Sequence, residues 1–200
     1  MTAQAKNKLL AYIVLGMLCI VAIVGTAHQP KTAHVMIPKA TPVVVALEKP
    51  AYDKTEFECL RSNIYFEARN ESIKGMQAVA LVALERTKRK HYPETMCGVV
   101  KYWAFSKGRK VCHFSWYCDG KSDRPNLSHP MERKAWDRAT LVADAAMRGM
   151  IRDFLGGATH YHANYAHPDW SQAQWRKRYK RIAVVGTHIF YRDVALKLKA

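Results

Sequence analysis

Glu67 is a carboxylate at a position where the surrounding pattern calls for an apolar side chain. Phe57, Leu60 and Ile64 recur at steps of three and four, the period of one helix face, and the next position in that rhythm is Glu67. A helix over Glu56 to Asn70 therefore turns Glu67 toward the interior. Apolar surroundings disfavour the charged form of a carboxyl group and raise its pKa. A carboxylic acid that keeps its proton near neutrality is what glycosidic bond cleavage requires of its general acid. A second reading has Tyr65, Phe66 and Ala68 supply the buried face while Glu67 pairs with Arg61, Arg69 or a distant cation. Glu71 follows four residues later and can share the face of Glu67, and a like charge that close raises a carboxyl pKa further. Its own alternative is a pair with Lys74 or a cap on the next helix.

Other chemistries find less support. There is no Gly-rich phosphate loop and no Gly-x-Ser-x-Gly elbow. His160 and His162 alternate in a strand-like stretch and so share a face, with His167 and His188 further on. No third ligand is fixed beside them, so neither a metal nor a cofactor is expected. Cys59, Cys97, Cys112 and Cys118 form an even set outside the apolar N-terminal run that holds Cys19, which points to two disulfides in an oxidising compartment. Three pairings are open. Cys112–Cys118 as a short loop with Cys59–Cys97 as a tie between helices is preferred. A zinc site is the rival, weakened because no Cys-x-x-Cys pair occurs.

Several elements must position these residues. Residues 1–8 are polar, and residues 9–27 carry no charge over about the length of a bilayer-spanning helix. An uncleaved membrane anchor is preferred over a signal peptide cut after Ala27, and the cysteines place the rest of the chain outside the cytoplasm. Residues 28–51, with Pro30, Pro38, Pro42 and Pro50, read as a semi-rigid tether. The folded domain spans residues 52–200. After the first helix, Ser72 caps a second from Ile73 to Lys90 that is apolar on almost every face, as in a buried helix. Periodicity fades from Pro93 to Pro125, where Trp103, Phe105, Phe114, Trp116 and Tyr117 either line a groove or form a satellite core. Pro130 opens a third helix running to about Met150, with Trp136, Ala139, Ala143, Met147 and Met150 as its buried stripe. A strand-like segment around His160 and one or two strands around Gly186 follow. Helices first and a small antiparallel sheet last make an α+β domain.

The net charge of +16, from 32 basic against 16 acidic residues, points to an anionic partner: nucleic acid, a membrane surface or an acidic polymer such as bacterial cell wall. A basic tethered domain that binds such a partner without chemistry is the competing class, recognisable by salt-sensitive binding and no turnover.

Four ordered blocks decide between them. Tyr65-Phe66-Glu67-Ala68-Arg69 with the Gly75-x-Gln77-Ala78-Val79-Ala80 helix and Arg86, then Phe114-Ser115-Trp116 with Cys118-Asp119-Gly120-Lys121, then Gly157 to Ala163, then Gly186 to Tyr191, resemble the SleB/CwlJ family of cell wall hydrolases. The resemblance covers roughly Cys59 to Arg192. It implies a lysozyme-like fold related to lytic transglycosylases, peptidoglycan as substrate, and Glu67 as the catalytic acid. It implies no specific nucleic acid partner. Asn70 stands where the family usually has Gly. Phe114, Ser115, Thr159, Tyr161 and His162 are the candidate groove residues, and Glu71 is a possible support that positions water. The sequence offers no obvious second carboxylate as nucleophile, which favours intramolecular attack by the muramyl 6-hydroxyl over hydrolysis by a muramidase or glucosaminidase.

Overall fold

The computed structural model describes residues 52–106 and 108–200. The expected membrane helix over residues 9–27 and the tether over residues 28–51 lie outside them. Among the described residues no helix is long and apolar enough to cross a membrane.

Helix α1 spans Lys54–Ala68 and starts where the Asp53 carboxylate accepts the N–H groups of Thr55 and Glu56. Helix α2, Ile73–Thr87, starts at Ser72, whose hydroxyl oxygen accepts the Gly75 N–H, as the sequence predicts. Its all-round apolarity has a simple cause. Met76, Val79, Ala80 and Ala83 pack into the helical core with Leu60, Ile64 and Ala139, while Ala78, Leu81 and Val82 pack against Leu155 and Phe190. The helix is buried between two layers and has no solvent face to keep polar.

The segment after Pro93 is more regular than its pattern suggests. A short helix α3, Met96–Val100, is followed by the hairpin β1, Trp103–Ser106, and β2, Arg109–Cys112. Both strands are exposed along nearly their whole length, so no in–out alternation marks them. Both preferred disulfides form. Cys59–Cys97 ties α1 to α3, and Cys112–Cys118 joins β2 to a 3₁₀ turn at Ser115–Cys118. With all four cysteines so paired, none is left to ligate zinc.

Helix α4, Pro130–Met147, begins on its proline as expected but ends before Met150. Gly149 adopts φ +70° and turns the chain, so Met150 leaves the buried stripe and is 71% exposed. The buried positions are Ala135, Ala139, Val142, Ala143 and Ala146, with Trp136 and Met147 only partly covered. Three antiparallel strands complete the domain in the order β3 (His160–Ala163), β5 (His188–Asp193), β4 (Tyr179–Val185). The stretch around Gly186 is thus two strands joined by a two-residue turn, closed by the pair Val185–His188. The domain is α+β, helices with two small antiparallel sheets.

Candidate active site

The last turn of α1 presents Phe66 and Glu67 to a cleft of about 450 Å³. Strand β3 brings Tyr161 and His162 to it, the β2–3₁₀ segment brings His113, Ser115, Trp116 and Asp119, and α2 brings Arg86. Glu67 is partly buried, as the helical rhythm predicts. Its Oε2 accepts the Tyr161 hydroxyl at 2.9 Å. Burial raises the Glu67 pKa, and the Tyr161 hydrogen bond and the Arg86 charge oppose that rise. Burial, with the adjacent Glu67 charge, holds the Tyr161 hydroxyl well above its ordinary range, so Tyr161 remains a donor. Glu67 is not consumed by Arg61 or Arg69: Arg61 pairs with Glu58, and Arg69 lies over the Tyr65 ring.

Arg86 is the charged counterpart of Glu67. It is 4% exposed, donates from Nε to the Thr159 carbonyl at 2.8 Å, and its guanidinium sits 4.7 Å from the Phe114 ring centre and 5.3 Å from that of Tyr92. Its buried Nη1 has no hydrogen-bond partner among the described residues. Beside it, burial lowers His113 to about 4 and His160 to about 3, with Arg86 adding to both, so both rings are neutral at physiological pH.

Of the five groove residues read from the sequence, Ser115, Tyr161 and His162 line the cleft. Phe114 and Thr159 do not. Phe114 is a core ring under Arg86, and fully buried Thr159 uses its carbonyl on Arg86 and its hydroxyl on the Asp193 N–H. They shape the site by fixing Arg86. His162 donates from Nδ1 to the Ala163 carbonyl at 2.8 Å and accepts the Tyr191 hydroxyl at Nε2, 3.1 Å, in the tautomer these partners require. His160 and His162 each pack against Trp170, and among the described residues no three His, Cys, Asp or Glu side chains converge as a metal site would need.

Glu71 has a different setting from the one expected. Helix α1 ends at Ala68, so Glu71 lies in the link to α2 and helical spacing no longer applies. The side chain is buried. Its Oε1 accepts both the backbone N–H of Thr187, at 3.1 Å, and the Thr187 hydroxyl. His188 Nδ1 lies 3.5 Å from the same oxygen, but burial lowers the His188 pKa against the pull of Glu71, and the ring is neutral at physiological pH. Two glycines make the seat. A Cβ on Gly75 would lie 2.9 Å from Glu71 Oε2, and one on Gly186, at φ +57°, would lie 1.7 Å from it.

The sequence does not single out Asp119 as a cleft group, whereas Trp116 stands among the aromatics that either line a groove or form a satellite core. Asp119 is a second carboxylate, held by the Lys121 N–H at Oδ1, 2.9 Å. Only the short Cys112–Cys118 loop hinted that this segment folds back on the site. Trp116 stacks on Phe66 at 4.6 Å and donates from Nε1 to Asn63 Oδ1 at 3.0 Å, which makes a two-ring wall. Asn63 was invisible as a site residue, because a polar residue on α1 carries no sign of its partner.

No curated protein matches the chain significantly. Among solved structures, the domain is similar to the catalytic domain of the Bacillus cereus SleB protein, at 25% identity and a TM-score of 0.50, over 72% of this chain and 94% of that one. It is also similar in fold to the catalytic domain of the germination-specific lytic transglycosylase SleB from Bacillus anthracis, at 23% identity and a TM-score of 0.51, over 72% of this chain and 99% of that one. The family model described as Cell Wall Hydrolase matches residues 70–191, starting just past Glu67 and taking in Arg86, Asp119 and Tyr161, and the chain belongs to that family.

Proposed function

We propose that the domain cuts the glycan strand of peptidoglycan with Glu67 as general acid, acting outside the cytoplasm and held to the membrane through residues 9–27. One observation carries the reading. Glu67 is the cleft carboxyl whose proton affinity is raised by burial, and its only direct partner among the described residues is a neutral hydroxyl, that of Tyr161. Such a group keeps its proton to higher pH than an ordinary carboxyl and can deliver it. Glu67 protonates the oxygen that links muramic acid to N-acetylglucosamine, and the bond from that oxygen to muramyl C1 breaks. In the lytic transglycosylase course, the 6-hydroxyl of the same muramic acid attacks C1 and returns its proton to the Glu67 carboxylate. A 1,6-anhydro end results. The Phe66–Trp116 wall offers an apolar face for a sugar ring.

Asp119 supports a second reading, hydrolysis. It brings another carboxylate to the same cleft, able to activate water. Glu71 does not suit that task, because it does not line the cleft and its Oε1 is engaged by Thr187. Mass spectrometry of the products from purified peptidoglycan separates the readings. Anhydromuropeptides, absent with Glu67→Gln, are expected. Reducing-end sugars that vanish with Asp119→Asn mean hydrolysis. Undiminished products from a folded Glu67→Gln protein remove Glu67 from the mechanism.

A further inference from the structure

The cleft does not end at Phe66. The same residue borders a second cavity of about 350 Å³, walled also by Tyr65, Arg69, Arg124, His129 and Glu132. Arg69, His129 and Glu132 in turn border a hollow of about 420 Å³ that adds Lys134 and Arg138. The inner two depressions share Phe66 and the outer two share Arg69, His129 and Glu132, so they lie in a row from Glu67 past the end of α1 to the first turns of α4 and together make a segmented groove. Its charge is one-sided. Glu132 is the one carboxylate lining the two outer cavities, and it is taken up by the Tyr65 hydroxyl. Arg138 is used on the Glu71 carbonyl, but Arg124 and Lys134 enter no ion pair among the described residues. Arg69 lies over the Tyr65 ring and enters no ion pair among the described residues.

We propose that this groove binds the acidic peptide branch of peptidoglycan. The inference rests on the reading of the glycan strand as substrate. The branch leaves the lactyl ether at C3 of muramic acid, on the very ring whose C1 is attacked. A strand with C1 at Glu67 therefore delivers its branch close by, and Phe66 borders both regions. The branch carries free carboxylates. Arg69 and Arg124 offer forked donors that pair with a carboxylate through two hydrogen bonds, where a diffuse positive surface would give only loose attraction. The groove thus selects strands that still bear their peptides.

The test uses the full-length chain in detergent, carrying Glu67→Gln so that ligands stay uncut. Calorimetric titration compares two ligands: a purified disaccharide-peptide muropeptide, and the same disaccharide after amidase removal of the peptide. The peptide is expected to tighten binding about 10-fold, with the advantage shrinking as salt rises. Adding Arg69→Ala and Arg124→Ala together should reduce that advantage to about 2-fold or less, the scale left by the remaining cations. Arg124→Glu alone serves if the double variant folds poorly, because Arg124 is exposed in a loop. Equal affinity for the two ligands, binding of neither, or an advantage unchanged by the substitutions overturns the proposal. Turnover by the unsubstituted chain is a separate readout. Its absence would remove the cleavage reading, while peptide-dependent binding would still decide the groove.

Discussion

Glu67, in the last turn of α1, and Glu71, in the link to α2, are the same chemical group four positions apart. Glu71 is held by the fold: the Thr187 backbone and hydroxyl donate to its Oε1, and Gly75 and Gly186 leave room for it. Glu67 has one neutral donor, faces an open cleft and has its proton affinity raised by burial. A carboxylate held in place by donors of the fold stabilises that fold and does little else. One that is desolvated but under-satisfied is costly to the fold, which marks it as a candidate for chemical use. The α1–α2 link holds both kinds, and the contrast separates structural from chemical duty.

The largest expected effect lies at Glu67. Glu67→Gln removes the transferable proton and should lower the rate of glycan cleavage by at least about 100-fold, the usual scale of general acid catalysis. The same change should stabilise the domain at neutral pH. The folded-state pKa is raised, so the native protein binds more protons than the unfolded chain above the ordinary carboxyl range. Stability is then fully present below the ordinary carboxyl pKa and falls as pH rises through the folded pKa. Glutamine lacks that loss, so the variant's melting temperature should exceed the wild type's at pH 7 and match it near pH 4, the latter being about the unperturbed carboxyl value. A variant less stable than wild type at pH 7 would break the comparison, since Glu67 would then be a second structural carboxylate.

Glu71→Ala should do the reverse. It removes the buried acceptor of the Thr187 N–H and hydroxyl, and because water can reach the exposed Thr187 the cost should be about 1–2 kcal/mol, the low end for hydrogen bonds to a charged group. Denaturant melts should show that loss, and cleavage per folded molecule should stay within a few-fold of wild type, as for a group with no transition-state contact. A stable Glu71→Ala protein with abolished turnover would restore Glu71 to the chemistry.

How much of this was legible beforehand depended on how local each signal is. The period of Phe57, Leu60 and Ile64 places Glu67 inward using one helix alone, and it holds. Ser72 and Pro130 mark helix starts by the same local logic. The role of Glu71 needs Thr187, 116 positions away, and no pattern near Glu71 announces that partner. Phe114 and Thr159 look like groove residues in sequence because they flank groove residues. Their true task, gripping Arg86, appears only when α2, β3 and the aromatic loop meet. Asp119 is hidden for the same reason: its place follows from the path of a loop.

The smallest expected effect tests the finest feature of the contrast, the single hydroxyl on Glu67. Tyr161 donates to Oε2 and so favours the ionised carboxylate; removing it leaves burial less opposed. Tyr161→Phe should therefore move the pKa of Glu67 further up. The acid form is the active one, so the alkaline limb of the cleavage profile should shift to higher pH. The ring itself remains, packed on His188 and Phe190, so the fold should lose only about 1 kcal/mol, the ordinary worth of one hydrogen bond. The direction of the limb is decisive. A shift to lower pH would mean that Tyr161 donates to the protonated acid or orients it for the substrate. Glu67 would then owe its proton affinity to its partner more than to burial.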